Sequence, residues 1–200
     1  MARLDYVCFC PFLSYGARMH PWHDIPAFAD AKQHLLNAVV EIPKGSNVKY
    51  ELDKRTGLLR VDRILYSSVI YPANYGFVPQ TYCSDGDPLD VLILNSEPVQ
   101  SLATLRVRAI GVLRMEDEGA SDDKLVAVHA DDPAFSDFHS LDRLPQHVQR
   151  QTRRFFEEYK VLENKTVVVD EFLGVTQAWE IIKTAIDSYH AHLETLRATI

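Results

Sequence analysis

Between residues 38 and 130 the chain is a succession of short apolar runs, each cut off by Gly, Pro, Asp or Ser, and that rhythm leaves few folds open. Residues 38–42, 48–53, 58–61, 67–71, 89–94, 105–115 and 124–130 read as strands. Lys54-Arg55-Thr56-Gly57, with Gly at its end, joins two of them as a hairpin turn. Many short strands with frequent turn signals point to a small barrel or sandwich. After Leu144-Pro145 the period changes. Val148, Thr152, Phe155, Phe156, Tyr159 and Leu162 recur at helical spacing, and Pro145 suits a helix's first turn. A further strand over 166–173 leads to Gly174. Ala178, Trp179, Ile182, Ala185, Ile186, Tyr189, Leu193 and Leu196 then describe a second amphipathic helix. The expectation is an α+β domain, a closed β core carrying two C-terminal amphipathic helices.

A chain of 200 residues, 46% hydrophobic and 24% charged, can bury one real core but not comfortably two. Its formal net charge of −7 argues against a nucleic-acid partner, which needs a basic face. The apolar stretch over residues 6–15 is too short to span a bilayer and lacks a convincing cleavage site. We therefore expect no membrane partner, an extension over residues 1–19, and one domain over residues 20–200. Cys8, Cys10 and Cys83 are odd in number and show no zinc spacing, which points to free thiols in a reducing, cytoplasmic compartment.

Chemistry enters at Asp85-Gly86-Asp87-Pro88-Leu89-Asp90-Val91. Gly and Pro lock a turn that can point three carboxylates into one small volume. Acids crowded so closely resist ionising together unless cations sit among them. An all-oxygen set without nearby His or Cys favours Mg²⁺ over zinc or copper. Taken alone, the run fits a solvated acidic turn equally well. It is not an EF-hand loop, because counting from Asp85 the sixth and twelfth positions hold Asp90 and Ser96.

Other polar residues recur around it. Asp117, Asp122 and Lys124 flank a second acidic loop, whose bland reading is a hairpin tip. Glu41, and Lys49 with Glu51 two residues apart on one strand face, form a third set. Arg63 ends a strand, Tyr71-Pro72-Ala73-Asn74-Tyr75-Gly76 reads as a turn, and Tyr159-Lys160 closes the first helix. Singly, each is a surface charge or a packed phenol. Together, acids that hold hard cations beside Lys, Arg and Tyr make a phosphate pocket, in which the metals rather than the net charge set the field.

In order and spacing, these motifs resemble the family I soluble inorganic pyrophosphatases. Asp85-Gly-Asp-Pro-Leu-Asp-Val91 matches that family's signature. Glu41-Ile-Pro43, Lys49-Tyr-Glu51, Val61-Asp-Arg63, the segment from Tyr71 to Gly76, residues 117–124 and Phe155-Phe-Glu-Glu-Tyr-Lys160 match in turn. His20-Pro21-Trp22-His23 is similar to a segment of some plant and bacterial members. The resemblance implies an OB-like five-stranded closed β-barrel with peripheral helices, and hydrolysis of inorganic diphosphate to two orthophosphates. It implies several Mg²⁺ ions per site, with Mn²⁺ or Zn²⁺ as substitutes. Asp85, Asp90 and Asp122 would hold the tightest ion, Asp90 would bridge to a second, and Asp117 would join Asp122 on ions entering with substrate. Glu51 and Glu41 would support that region. Asp87 would accept the proton of the attacking water, and Lys49, Arg63, Tyr75, Lys124, Tyr159 and Lys160 would bind the phosphates. A homo-oligomer is implied as well, hexameric in bacterial relatives and dimeric or monomeric in others. Arg114 stands where bacterial members often carry Lys. Two other readings use the same pattern: a metal-dependent phosphatase for organic phosphates, and an OB-like module that binds phosphate or nucleic acid.

Overall fold

In a computed structural model, which describes residues 19–198, ten strands and two α-helices form a mixed, sheet-rich body. The strands are β1 (Phe28–Asp30), β2 (Leu35–Ile42), β3 (Val48–Leu52), β4 (Leu59–Ile64), β5 (Asn74–Phe77), β6 (Asp90–Leu94), β7 (Thr104–Asp117), β8 (Ala120–Ser121), β9 (Lys124–His129) and β10 (Val167–Leu173). The helices are α1 (Gln146–Glu158) and α2 (Val175–Arg197). Strand β2 pairs with β5, β5 with β6, β6 with β9, β9 with β7, and β7 again with β2. The large sheet thus closes on itself in a ring, with β1 and β10 as flanking strands and β3–β4 as a separate hairpin.

The apolar runs explain why the ring closes. Along β6, Val91 and Ile93 join one core while Leu92 and Leu94 join another. Along β9, Leu125 and Ala127 part from Val126 and Val128 in the same way. Side chains alternate across a strand, so a continuous apolar run needs cover on both faces. Helix α2 supplies one cover through Ala178, Ile182 and Ala185, and α1 supplies the other through Phe155 and Phe156.

Topology also gathers the polar ends. Strands β6 and β9 are parallel, so Asp90 and Lys124, their first residues, lie at the same end of the ring. Strand β7 runs antiparallel to β9 and therefore brings its last residue, Asp117, to that end too.

Three expectations need correction. Residues 67–71 form no strand. Tyr71, at the end of the run, bonds instead to the loop at 45–46, where its N–H donates to Ser46 O and its carbonyl accepts from Gly45 N–H. Asn74-Tyr75-Gly76, read as part of a turn, lies in the buried strand β5. There the Asn74 side chain accepts the N–H groups of Lys44 and Val99, which satisfies it away from water. Leu162 does not extend the first helix. It sits 61% exposed in a 3₁₀ turn over Val161–Glu163. The extension over 1–19, with Cys8 and Cys10, lies outside the described residues except for Met19. Among the described residues no helix is long and apolar enough to cross a membrane.

Gly76 marks the closest approach in the ring, because a Cβ there would meet Val39 O at 1.9 Å. Gly76→Ala must push β2 and β5 apart, and a loss of at least about 3 kcal/mol of unfolding free energy is expected. Denaturant titration checks this, and an unchanged midpoint would contradict the register.

Candidate active site

The end of the ring where Asp90, Asp117 and Lys124 meet opens into a cavity of about 620 Å³. Its wall brings together Glu41 from β2, Lys49 and Glu51 from β3, Tyr75 from β5, Asp85 and Asp87 from the loop before β6, Asp90 from the start of β6, and Asp117 from β7. Asp122, Lys124, Tyr159 and Lys160 complete it. Of the expected site residues, Arg63 alone is not part of the wall. Its Nε donates to Glu163 Oε1 at 2.8 Å, a second nitrogen pairs with Asp62, and its buried Nη2 has no hydrogen-bond partner.

Local chemistry fixes the acidic turn. Gly86 takes φ +85°, a conformation that side chains resist. Its N–H donates to Cys83 O, Cys83 N–H donates to Asp87 O, and Asp87 N–H donates to Asp85 Oδ1 at 3.0 Å. The three acids thus share one wall, but each meets a different neighbour. Lys124 Nζ lies 2.5 Å from both Asp90 Oδ2 and Asp122 Oδ1, Lys160 pairs with Asp117, and Lys54 pairs with Asp87. With these ammonium groups interposed, no three acids among the described residues converge closely enough to hold one ion as they stand.

Electrostatics show what the cluster demands. Burial, then the facing acids, push the Asp85 carboxyl above the usual range; Asp87 N–H opposes this. Burial also raises Asp122, and the Asp90 charge adds to it against the pull of Lys124. Glu41 is pushed up to about 8, first by burial and then by the Asp90 charge, although Leu52 N–H donates to its Oε1 at 2.7 Å. The Lys124 ammonium is held charged: burial opposes the charge, and Asp90 and Asp122 overcome that. Such a site is short of positive charge. Asp117 Oδ1 is buried without a hydrogen-bond partner, so its lone pairs remain free for a hard cation. An all-carboxylate donor set with a free buried oxygen fits Mg²⁺-like ions.

A family model for inorganic pyrophosphatase matches residues 38–190, which contain every residue of this wall. The chain belongs to the inorganic pyrophosphatase family. It is 55% identical over 177 residues to soluble inorganic pyrophosphatase 2 of Chlamydomonas reinhardtii, covering 88% of this chain and 92% of that protein. To the soluble inorganic pyrophosphatase of Oryza sativa subsp. indica it is 54% identical, over 89% of this chain and 83% of that one. Among solved structures, the inorganic pyrophosphatase of Helicobacter pylori superposes with a TM-score of 0.79 at 45% identity, covering 83% of this chain and 98% of that one. That of Thermus thermophilus gives 0.79 at 35% identity, over 83% and 97%.

Sequence reasoning missed several wall residues of this pyrophosphatase-family site: Tyr50, Lys54, Arg55, Arg60 and Tyr71. Arg60 donates to Glu51 Oε2 at 2.8 Å, while Lys49 Nζ donates to Oε1 at 2.7 Å, so Glu51 is held between two cations. The alternation that put Lys49 and Glu51 on one face could have found Arg60, since β4 pairs Arg60 directly with Glu51. Arg114 lies off the wall, 3.6 Å from Asp123.

Proposed function

We propose that this chain hydrolyses inorganic diphosphate to two orthophosphates, and that its ring is the OB-like five-stranded barrel of the family. The observation that carries the reading is the cavity itself, where Asp85, Asp87, Asp90, Asp117 and Asp122 share one wall with the ammonium groups of Lys49, Lys124 and Lys160 and the phenols of Tyr75 and Tyr159. Asp85, Asp90 and Asp122 would hold the tightest Mg²⁺, Asp117 would share later ions with Asp122, and Glu51 and Glu41 would shape their surroundings. When bound, divalent magnesium supplies Lewis-acid activation of water and screens the phosphate charge.

The protein's own groups do the rest. Asp87 takes the proton from the attacking water at a carboxylate oxygen and keeps the lone pair aimed at phosphorus. The new P–O bond forms as the bridging P–O bond breaks, and the second phosphate leaves with the bridging oxygen. Lys124 and Lys160 stand over the rings of Tyr75 and Tyr159, at 5.9 and 5.3 Å, so each ammonium is fixed on an apolar support. Such cations stabilise charge developing on the phosphates, and Arg63 would join them only on leaving Glu163 and Asp62. Burial pushes the Tyr159 hydroxyl well up, so it remains a hydrogen-bond donor throughout.

A substrate panel tests the assignment. With Mg²⁺ present, orthophosphate release is expected from diphosphate and at least about 100-fold less from a nucleoside triphosphate or a sugar phosphate, because a closely fitted polar site rejects mismatched groups strongly. Comparable rates on a sugar phosphate would favour the organic-phosphatase reading instead.

A further inference from the structure

We propose that His20 is a positioning residue for the reaction: it fixes the backbone of Lys54, whose ammonium clamps the turn carrying Asp87. The proposal rests on the reading of Asp87 as proton acceptor and adds to it a brace drawn from outside residues 38–190, the span matched by the family model.

Lys54 lies on the turn between β3 and β4, and its Nζ donates to Gly86 O at 2.8 Å and pairs with Asp87 Oδ1. Both partners are open to water, with side chains 44% and 50% exposed. An ion pair that exposed holds little by itself, because long side chains resist ordering. It is useful only if the lysine's backbone is anchored. His20 supplies the anchor. The residue is 5% exposed, its Nε2 lies 3.0 Å from Lys54 O, and its Cδ2 lies 3.1 Å from where a Cβ on Gly57 would stand.

The tautomer follows from the partners. A carbonyl only accepts, so Nε2 carries the proton, and Nδ1 is left to accept Trp22 N–H at 3.3 Å. Burial lowers the His20 pKa, which favours this neutral form.

The brace is itself bolted at both ends. Trp22 Nε1 donates to Thr81 O at 2.8 Å, and the Thr81 hydroxyl accepts Leu89 N–H at 2.8 Å, on the far side of the acidic turn. His23 Nδ1 meets the Tyr189 hydroxyl at 2.8 Å, and Arg197 donates to His23 O and to Asp24. One short segment therefore touches α2, the loop after β5 and the β3–β4 turn. It sets the distance between Lys54 and the Asp87 turn.

Steady-state kinetics on the full chain, with melting temperatures recorded for every variant, tests this. His20→Phe keeps an aromatic ring and removes the donor, whereas His20→Gln restores an Nε2 donor. His20→Phe and Lys54→Met are each expected to lower kcat about tenfold with little change in KM, the scale of a small misplacement at a reacting group. The double variant should be no slower than Lys54→Met alone, and His20→Gln should recover most of the rate. Independent, multiplicative losses would overturn the brace, as would equal losses in the Phe and Gln variants. If His20→Phe does not fold, the contrast of His20→Gln with His20→Asn, whose amide is one methylene shorter, replaces it. Rates that are indistinguishable overturn the proposal. An Asp87→Asn variant that kept its kcat would instead strike the underlying reading.

Discussion

Asp87→Asn is expected to lower kcat by about 10²–10⁴-fold while KM for diphosphate moves by less than about threefold. The asymmetry follows from where Asp87 sits. Asp87 pairs with Lys54 across the turn, and the ammonium groups proposed to meet the phosphates stand on Lys124 and Lys160. Asparagine keeps the shape and the N–H contact to Asp85 but cannot take a proton from water. Substrate should still bind, and only the step that needs a proton acceptor should suffer. Single-turnover measurement separates the two, and a kcat within about threefold of the unmodified chain would remove Asp87 from the role.

Asp90→Ala should act on the metal requirement. Asp90 opens β6, shares the Lys124 ammonium with Asp122, and adds to the charge that raises Glu41. As a proposed bridging ligand, its loss should raise the Mg²⁺ concentration for half-maximal rate at least about 100-fold, since even outer-sphere changes cost about 10–100-fold in metal affinity. Lys124 keeps Asp122 as a partner, so its buried charge is not stranded. A magnesium titration that superposes on that of the unaltered chain would take Asp90 off the ligand set.

The strands of the ring were legible because their apolar runs need cover on both faces, a demand written locally in Val91-Leu92-Ile93-Leu94 and Leu125-Val126-Ala127-Val128. Residues 67–71 also read as a strand, yet Tyr71 bonds to the loop at 45–46, which no local pattern announces. Strand β5 was hidden by Asn74 and Gly76, which resemble turn residues. Both are there for tertiary reasons, the first to satisfy the amides of Lys44 and Val99 and the second to admit the backbone of β2.

The acids of the candidate site stood out because carboxylates at such spacing are costly without cations. Lys54 did not, since a lysine in a hairpin turn is ordinarily solvated, and its contact with Asp87 depends on how the turn docks. The Arg63–Glu163 pair joins residues 100 apart and leaves no sequence trace. His20 stood in a segment similar to some family members, but its proposed role as a brace is legible only once Lys54 is beside it.

The most direct measurement is orthophosphate release from inorganic diphosphate by the purified chain, stripped of divalent ions by chelation and then restored with magnesium. The account predicts negligible release from the stripped protein and full, saturable recovery on adding Mg²⁺. Diphosphate left intact in excess magnesium, or cleaved equally fast without any divalent ion, would contradict it.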